Sequence, residues 1–233
     1  MADKRNRVLE LTRYIESLGI QVNLGKNKAR GNKGIFMSRK NSHRIDISKN
    51  VDEDSVSSTL LHEFAHFIHY KYDKTLKSLD FVFKDLSDEE QEELLDVTVK
   101  NIPKDFASSL FDAKKQLSIE NKILAEQIKS IYPDFKVSEP FKKIERNLMF
   151  AFSLTEVEQA YVKLKYNQKN IAKINAKINK LNKYYNQPSE LWARLFELFF
   201  MDKASALKSA PSICRRLECT SIPEVLEIKK IIF

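Results

Sequence analysis

Two histidines and a glutamate stand within five positions of each other in the segment His62-Glu63-Phe64-Ala65-His66, an HExxH motif. On a helix, residues four apart lie on one face, about one turn from each other. Two imidazoles at that spacing can bind one zinc ion, with each nitrogen about 2 Å from the metal. The glutamate between them faces the metal-bound water, which it can activate as general base. The motif therefore predicts a zinc-dependent hydrolase.

The sequence around the motif fits the helix that this chemistry requires. Residues 58–68 contain neither proline nor glycine and have the pattern of a buried amphipathic helix. The alternative is a helix that carries two core histidines and a solvated glutamate. Catalytic zinc also needs a third protein ligand, so the rest of the chain tests the prediction.

The third ligand is not the nearest histidine. On an unbroken helix His69 lies about 4.5 Å further along the axis than His66, and no glycine follows to turn the chain. We therefore expect His69 to be packed in the core or to lie beside the site. If His69 instead closed the site as a fourth ligand, the metal would be structural.

A downstream helix offers two better candidates for the third ligand. Pro188 and Ser189 have the pattern of a helix start, which places Glu190 in the first turn. With His62 and His66, Glu190 would leave one zinc position open for water. Glu197, seven residues on, lies on nearly the same face and is either the ligand itself or a partner that orients a histidine. The alternative for Glu190 is an ordinary first-turn acid favoured by the helix dipole.

At this point the chain resembles zincin metallopeptidases of the gluzincin type, and more narrowly the compact ImmA/IrrE-type peptidases and related domains of phage and mobile elements. The resemblance covers roughly the first third of the chain and residues 188–202. Arg194 stands where the thermolysin-like branch has an aspartate, so that subfamily is not indicated. The matching order is a helix, a short strand pair, the HExxH helix and a later Glu-x-x-Ala helix, here residues 5–18, 20–24 with 34–48, 55–72, and Glu190 with Ala193.

The resemblance implies a zinc endopeptidase that acts on a specific, often regulatory, protein, with Glu63 as the base that activates water. A further donor should stabilise the oxyanion. Four residues have suitable chemistry, and we take Tyr185 and Arg194 as the first candidates, ahead of Tyr184 and His69. The competing hypothesis is a non-catalytic, zincin-like module that binds protein or DNA and whose metal is structural or missing.

Composition places this chemistry in a globular, cytoplasmic protein. Hydrophobic residues make up 42% of the 233-residue chain, which argues against disorder. No apolar run is long enough to span a bilayer, and the N-terminus lacks a secretory core, so we expect no membrane association. Cys214 and Cys219 are the only cysteines, which suits a reducing compartment.

The sequence predicts an α+β fold that is mostly helical. Its core, residues 1–75 and 188–233, would hold a small sheet, the HExxH helix and the third-ligand helix, with residues 76–187 as a large helical insertion. In the core, residues 35–38 and 44–48 form a hairpin whose second arm, 45–47, is the expected edge strand beside the HExxH helix. In the insertion we expect helices over 105–131 and 141–185. The apolar tail, 228–233, is expected to dock as a strand.

The second half of the predicted helix 141–185 is expected to form a basic arm over residues 163–183. Its apolar positions alternate in steps of three and four, which indicates a coiled-coil-like hairpin. The ordinary explanation of the basic residues is a helix face exposed to water. The more specific explanation is a contact with an acidic protein or with DNA. These residues are Lys163, Lys165, Lys169, Lys173, Lys177, Lys180 and Lys183.

Overall fold

The structure of the protein, a computed structural model, describes residues 2–26, 33–40, 42–101, 104–136 and 154–233. In these residues nine helices accompany one three-stranded sheet, which confirms the expected α+β, mostly helical class. No helix in this part of the chain is long and apolar enough to cross a membrane. The chain divides into two compact units, Met1–Asn101 with Tyr184–Phe233, and Ile102–Lys183.

The first unit contains the sheet and most of the helices. Its strands are β1 (Ile20–Lys26), β2 (Gly34–Arg39) and β3 (Ser42–Ser48). Its helices are α1 (Ala2–Ser17), α2 (Glu53–Tyr72), α3 (Asp88–Asn101), α6 (Pro188–Met201), α7 (Lys203–Ser209), α8 (Pro211–Glu218) and α9 (Pro223–Ile232).

The second unit is a pair of long helices, α4 (Lys104–Ile131) and α5 (Glu156–Tyr185), although the last two residues of α5 belong to the first unit. A small core that includes Ile128 and Leu164, both fully buried, holds the pair together. Residues 141–153 of the predicted helix 141–185 lie outside the described residues.

The strand order corrects one expectation. The sheet runs β1-β3-β2, with β3 parallel to β1 and antiparallel to β2. The prediction of an edge strand at 45–47 is wrong, because Ile45 pairs with Val22 on one side and with Phe36 on the other. Its complete burial fits a central strand. The edge strand that packs against α2 is β2 instead.

Helices α2 and α6 pack together at the centre of the first unit. The Trp192 indole is fully buried, and its N–H donates to the backbone carbonyl of Ala65 at 2.8 Å. Phe64 on α2 and Phe196 on α6 are also fully buried in this core. A fully buried polar group needs a partner, so the indole contact fixes the position of α6 along α2.

Residues 76–101 pack in the first unit, so the inserted unit is shorter than expected. Leu94 and Val97 of α3 belong to the large core. The Glu93 carboxylate also accepts from the backbone N–H groups of Ser212 and Ile213, both at 3.0 Å, in the first turn of α8. Burial of α3 in this core explains the shift of the boundary from 76 to 102.

The C-terminal tail also differs from the expectation. Residues 228–232 form the end of helix α9 instead of a strand. Val225 and Ile228 are three apart and both fully buried, which is helical spacing, and Pro223 occupies the first turn. The apolar tail is too short for its periodicity to be read without the residues before it.

Glu224 joins α9 to the end of α2. Its residue is 2% exposed, its carboxylate contacts the Lys71 ammonium, and the Tyr72 hydroxyl donates to it at 2.9 Å. Burial opposes ionisation, but the two donors outweigh it and hold the pKa of Glu224 below its ordinary value of 4.5.

We expect this contact to make stability depend on pH. Because the folded pKa is below the unfolded one, the stabilisation is fully present above about pH 4.5 and is lost as the pH falls through the folded pKa. Glu224→Gln should lower the free energy of unfolding at pH 7 by about 1–2 kcal/mol, a modest value because Lys71 is half exposed. It should also flatten the acid limb between about pH 5 and 3.

Urea denaturation at several pH values checks this prediction. Glu227→Gln is the matched control, since Glu227 lies on the same helix and forms a local ion pair with Lys230, three residues on. An equal loss of stability in both variants would contradict the role of Glu224.

Candidate metal site

Helix α2 presents the motif side chains in two directions. His62 and His66 face α6, where they meet the carboxylate of Glu190. Glu63 faces the edge strand β2, where it meets the backbone of Phe36. Side chains one position apart on a helix differ in direction by about 100°. Glu63 therefore contacts a different element from the one that His62 and His66 contact.

Three side chains converge on one point between α2 and α6. His66 Nε2 lies 3.2 Å from Glu190 Oε1, and His62 Nε2 lies 3.6 Å from Glu190 Oε2. The two Nε2 atoms are 3.2 Å apart. The ligating atoms of these three residues all lie within 4.8 Å of one another. The structure thus brings together the three predicted ligands, from segments more than 120 residues apart.

The polar atoms of this cluster fit a bound cation. Glu190 Oε2 is buried and lacks a hydrogen-bond partner among the described residues. Such an atom is costly unless something else compensates it. Two imidazole nitrogens and one carboxylate are a donor set that zinc uses at catalytic sites, with one position left open.

The charges of the cluster also favour a cation. Burial lowers the pKa of His62, but the carboxylates of Glu190 and Glu197 outweigh it and raise that pKa to about 9. Burial raises the pKa of Glu190, but the His62 and His66 imidazoles, 3.6 and 3.2 Å from its oxygens, hold it well below its ordinary value. The site therefore attracts positive charge, which a proton supplies when no metal is bound.

Glu197 holds the other nitrogen of His62. Its Oε2 lies 3.0 Å from His62 Nδ1, and its Oε1 accepts from the Ser58 hydroxyl. A carboxylate on Nδ1 fixes the ring orientation and leaves Nε2 free to bind a metal. Of the two roles considered for Glu197, the distances favour the orienting partner. Arg194, predicted as an oxyanion donor, lies 3.4 Å from the same carboxylate.

Strand β2 positions Glu63. The backbone N–H of Phe36 donates to Glu63 Oε2 at 2.7 Å. A Cβ on Gly34 would stand 2.8 Å from Glu63 Cγ, so only glycine allows the strand to approach this closely. Burial raises the pKa of Glu63 above its ordinary value of 4.5 despite the charges of His66 and His62. A carboxylate with a raised pKa is a better proton acceptor for catalysis.

The structure favours Tyr184 over Tyr185 as a donor at the cluster. Burial, followed by the negative charge of Glu190, raises the pKa of Tyr184, so its hydroxyl group stays protonated beside the cluster. Tyr185 contacts the ring of Tyr184 at 5.3 Å between centroids, and in the described part of the chain it shows no hydrogen bond to the three ligands. Adjacent helical residues differ by about 100° in direction, so the two tyrosines face different surroundings, and the order expected from the sequence, Tyr185 ahead of Tyr184, is not the one that the structure favours.

His69 is a packed core histidine. It is fully buried, and its Nε2 lies 2.8 Å from the carbonyl oxygen of Ser78. Burial lowers the pKa of His69. It stacks on Phe81 with ring centroids 5.0 Å apart. It is not a member of the ligand cluster, which agrees with the sequence prediction.

No family model, curated protein or solved structure matches the chain. Its function therefore has to be argued from the geometry of the site.

We expect Gly34→Ala to be destabilising because the added methyl has no room. It would stand 2.7 Å from Thr59 Cγ2 and 2.8 Å from Glu63 Cγ. Overpacking of this kind costs about 1–3 kcal/mol. Urea denaturation measures the loss, and Thr59→Ser, which removes Cγ2, should reduce it. If Gly34→Ala lowers the free energy of unfolding equally in the wild-type and Thr59→Ser backgrounds, the contact with Thr59 Cγ2 is not the cause.

Proposed function

We propose that the protein is a zinc-dependent endopeptidase that hydrolyses a peptide bond in a specific protein. The carrying observation is the three-residue cluster His62, His66 and Glu190, with Glu63 on the same helix held by the backbone N–H of Phe36. A structural zinc site is closed by a fourth protein ligand. Among the described residues, no fourth histidine, cysteine or acid joins this cluster.

The residues of the site have separate roles in this proposal. His62, His66 and Glu190 would hold the zinc, which would supply Lewis acidity to polarise the peptide carbonyl and to make water more acidic. Glu63 accepts the proton of the attacking water and delivers it to the leaving amine. Tyr184 donates a hydrogen bond to the charge that develops on the carbonyl oxygen.

Two further groups keep these residues in place. Glu197 holds Nδ1 of His62, so that Nε2 stays available to the metal. The N–H of Phe36 holds one oxygen of Glu63. Strand β2 therefore positions the base, and its position at the edge of the sheet suits pairing with an extended substrate segment.

The same arrangement supports assignment of the first unit to the zincins, as the resemblance of its motifs implied. Helix α2, strand β2 and helix α6 supply the parts that this assignment needs. We also propose a cytoplasmic location, because Cys214 and Cys219 are both free thiols and suit a reducing compartment.

Metal content is the first test. We expect one zinc per wild-type chain and loss of zinc in Glu190→Ala, measured by elemental analysis after zinc is offered and the excess removed. Glu197→Gln should keep a site of about 10–100-fold lower affinity, measured by chelator competition. A well-folded wild type that binds no zinc would contradict the proposal and favour a non-catalytic binding module.

Loss of the base should separate metal binding from turnover. Glu63→Gln is expected to keep zinc but to cleave about 100–10,000-fold more slowly, since general-base catalysis is lost. The assay incubates protein with a proteome-derived peptide library and identifies new N-termini by mass spectrometry. Glu53→Gln, an exposed acid of the same helix, is the matched control. Equal cleavage by Glu63→Gln and wild type would remove Glu63 from the mechanism.

A further inference from the structure

Helix α5 carries four lysines in a line along one face. Lys169, Lys173, Lys177 and Lys180, here called the lysine stripe, are separated by four, four and three residues. At about 100° per residue they fall within an arc of roughly 80°, over about 17 Å of helix axis. All four are exposed.

The stripe lies on the face of α5 that does not pack on α4. Tyr161 and Leu164 are buried in the small core that joins the two helices. Glu120 of α4 contacts Lys163 and accepts from Asn167 at 2.7 Å, so its charge is used beside the core. In the part of the chain that the structure describes, no ion pair involves a lysine of the stripe.

The sequence of α5 does not neutralise the stripe either. Residues 159–189 contain no aspartate and no glutamate. A helix face that serves only solubility usually mixes charges of both signs, because acids four residues from lysines stabilise the helix. Four lysines in a line without an acid instead repel one another. A partner with dense negative charge would remove that repulsion.

The side chains around the stripe favour a nucleic acid over a protein. Protein interfaces are depleted in lysine and depend on apolar and aromatic anchors. The neighbours of the stripe are the small exposed Ala172 and Ala176, which leave room for close approach, and the amides of Asn170 and Asn179. Asparagine and lysine are common donors to phosphate oxygens.

The stripe also favours duplex over single-stranded nucleic acid. Proteins that bind single strands stack successive bases on rows of aromatic rings. The aromatic residues on this face of the described helix are Tyr166, 64% exposed, and Tyr184, 44% exposed. They are 18 residues, about 27 Å, apart along the helix axis, so such a row is missing. We propose that the lysine stripe binds the phosphate backbone of duplex DNA without sequence preference. This proposal does not depend on the proposed peptidase activity.

Fluorescence anisotropy of the full chain with a labelled 30-base-pair duplex tests the proposal. Four lysine–phosphate contacts predict that the logarithm of the association constant falls against the logarithm of salt with a slope of about −3.6. Between 50 and 200 mM salt, the affinity should therefore fall about 150-fold. Two duplexes of unrelated sequence should bind equally. A wild type that fails to bind at 50 mM salt overturns the proposal.

Matched variants separate the stripe from net charge. Replacement of the four stripe lysines by glutamine should reduce the slope by about 3–4 and weaken binding at least about tenfold at 100 mM salt. The control replaces four exposed lysines of the first unit by glutamine, for the same change in charge: Lys49, Lys74, Lys77 and Lys84. It should bind as wild type does, and equal loss in both variants would overturn the proposal.

Further probes address the other partners that a basic face can bind. Duplex RNA, polyglutamate and phosphatidylserine vesicles are measured under the same conditions. Tighter binding to any of them than to DNA overturns the assignment. Glutamine has a helix propensity close to that of lysine, and circular dichroism checks that the variant is folded. Replacement of the four stripe lysines by arginine keeps the charge, so this variant should retain both the affinity for DNA and the salt dependence of the wild type.

Discussion

The contact between α2 and α6 is the constraint on which the candidate site depends. Helix α2 alone supplies two histidines, which are too few ligands for a catalytic metal. The proposed third ligand, Glu190, is placed by the burial of the apolar face of α6 and by the hydrogen bond from Trp192 to Ala65. Because a ligand set must be precise to fractions of an ångström, the core of the first unit is part of the site.

Burial of this cluster has a cost that the surrounding residues only partly offset. Glu190 is 3% exposed and His62 7%, and charged groups this deep lose much of their hydration. The histidines offset the charge of Glu190, and Glu197 offsets that of His62. One carboxylate oxygen is still without a hydrogen bond in the described structure. Stability alone would favour apolar residues of similar volume here, so these polar groups point to a function.

The parts of the site that could be predicted from sequence are those encoded within one helix. The four-residue spacing of His62 and His66 fixes their common face, whatever the rest of the chain does. The sequence could not distinguish Glu190 from Glu197 as the third ligand, because residues seven apart on a helix lie on nearly the same face. In the structure Glu190 lies beside Nε2 of His62 and Glu197 beside Nδ1, which is the basis for proposing the first as ligand and the second as orienting partner.

The expectations that were wrong depended on partners far away in the sequence. Strand 45–47 has the alternation of a half-buried strand, and only the parallel pairing of β1 makes it central. Helix α3 looked like part of an insertion because nothing local shows that Glu93 caps α8. The capping box of Ser87 and Glu90, by contrast, needs only residues three apart, whose side chains and backbone N–H groups bond each other reciprocally. Local rules thus predicted element starts, and long-range packing decided boundaries.

The two proposals rest on one physical argument applied to opposite charges. A polar or charged group that lacks a partner raises the free energy of the folded chain, whether in a core or on a surface. In the first unit the buried Glu190 Oε2 lacks a hydrogen bond, and in the second the lysine stripe lacks acids to pair with in the described residues. In each place the charge that is lacking indicates the ligand. The buried group of three side chains suits a compact divalent cation. The exposed line of lysines, which extends over about 17 Å or about eleven residues of helix, suits an extended polyanion.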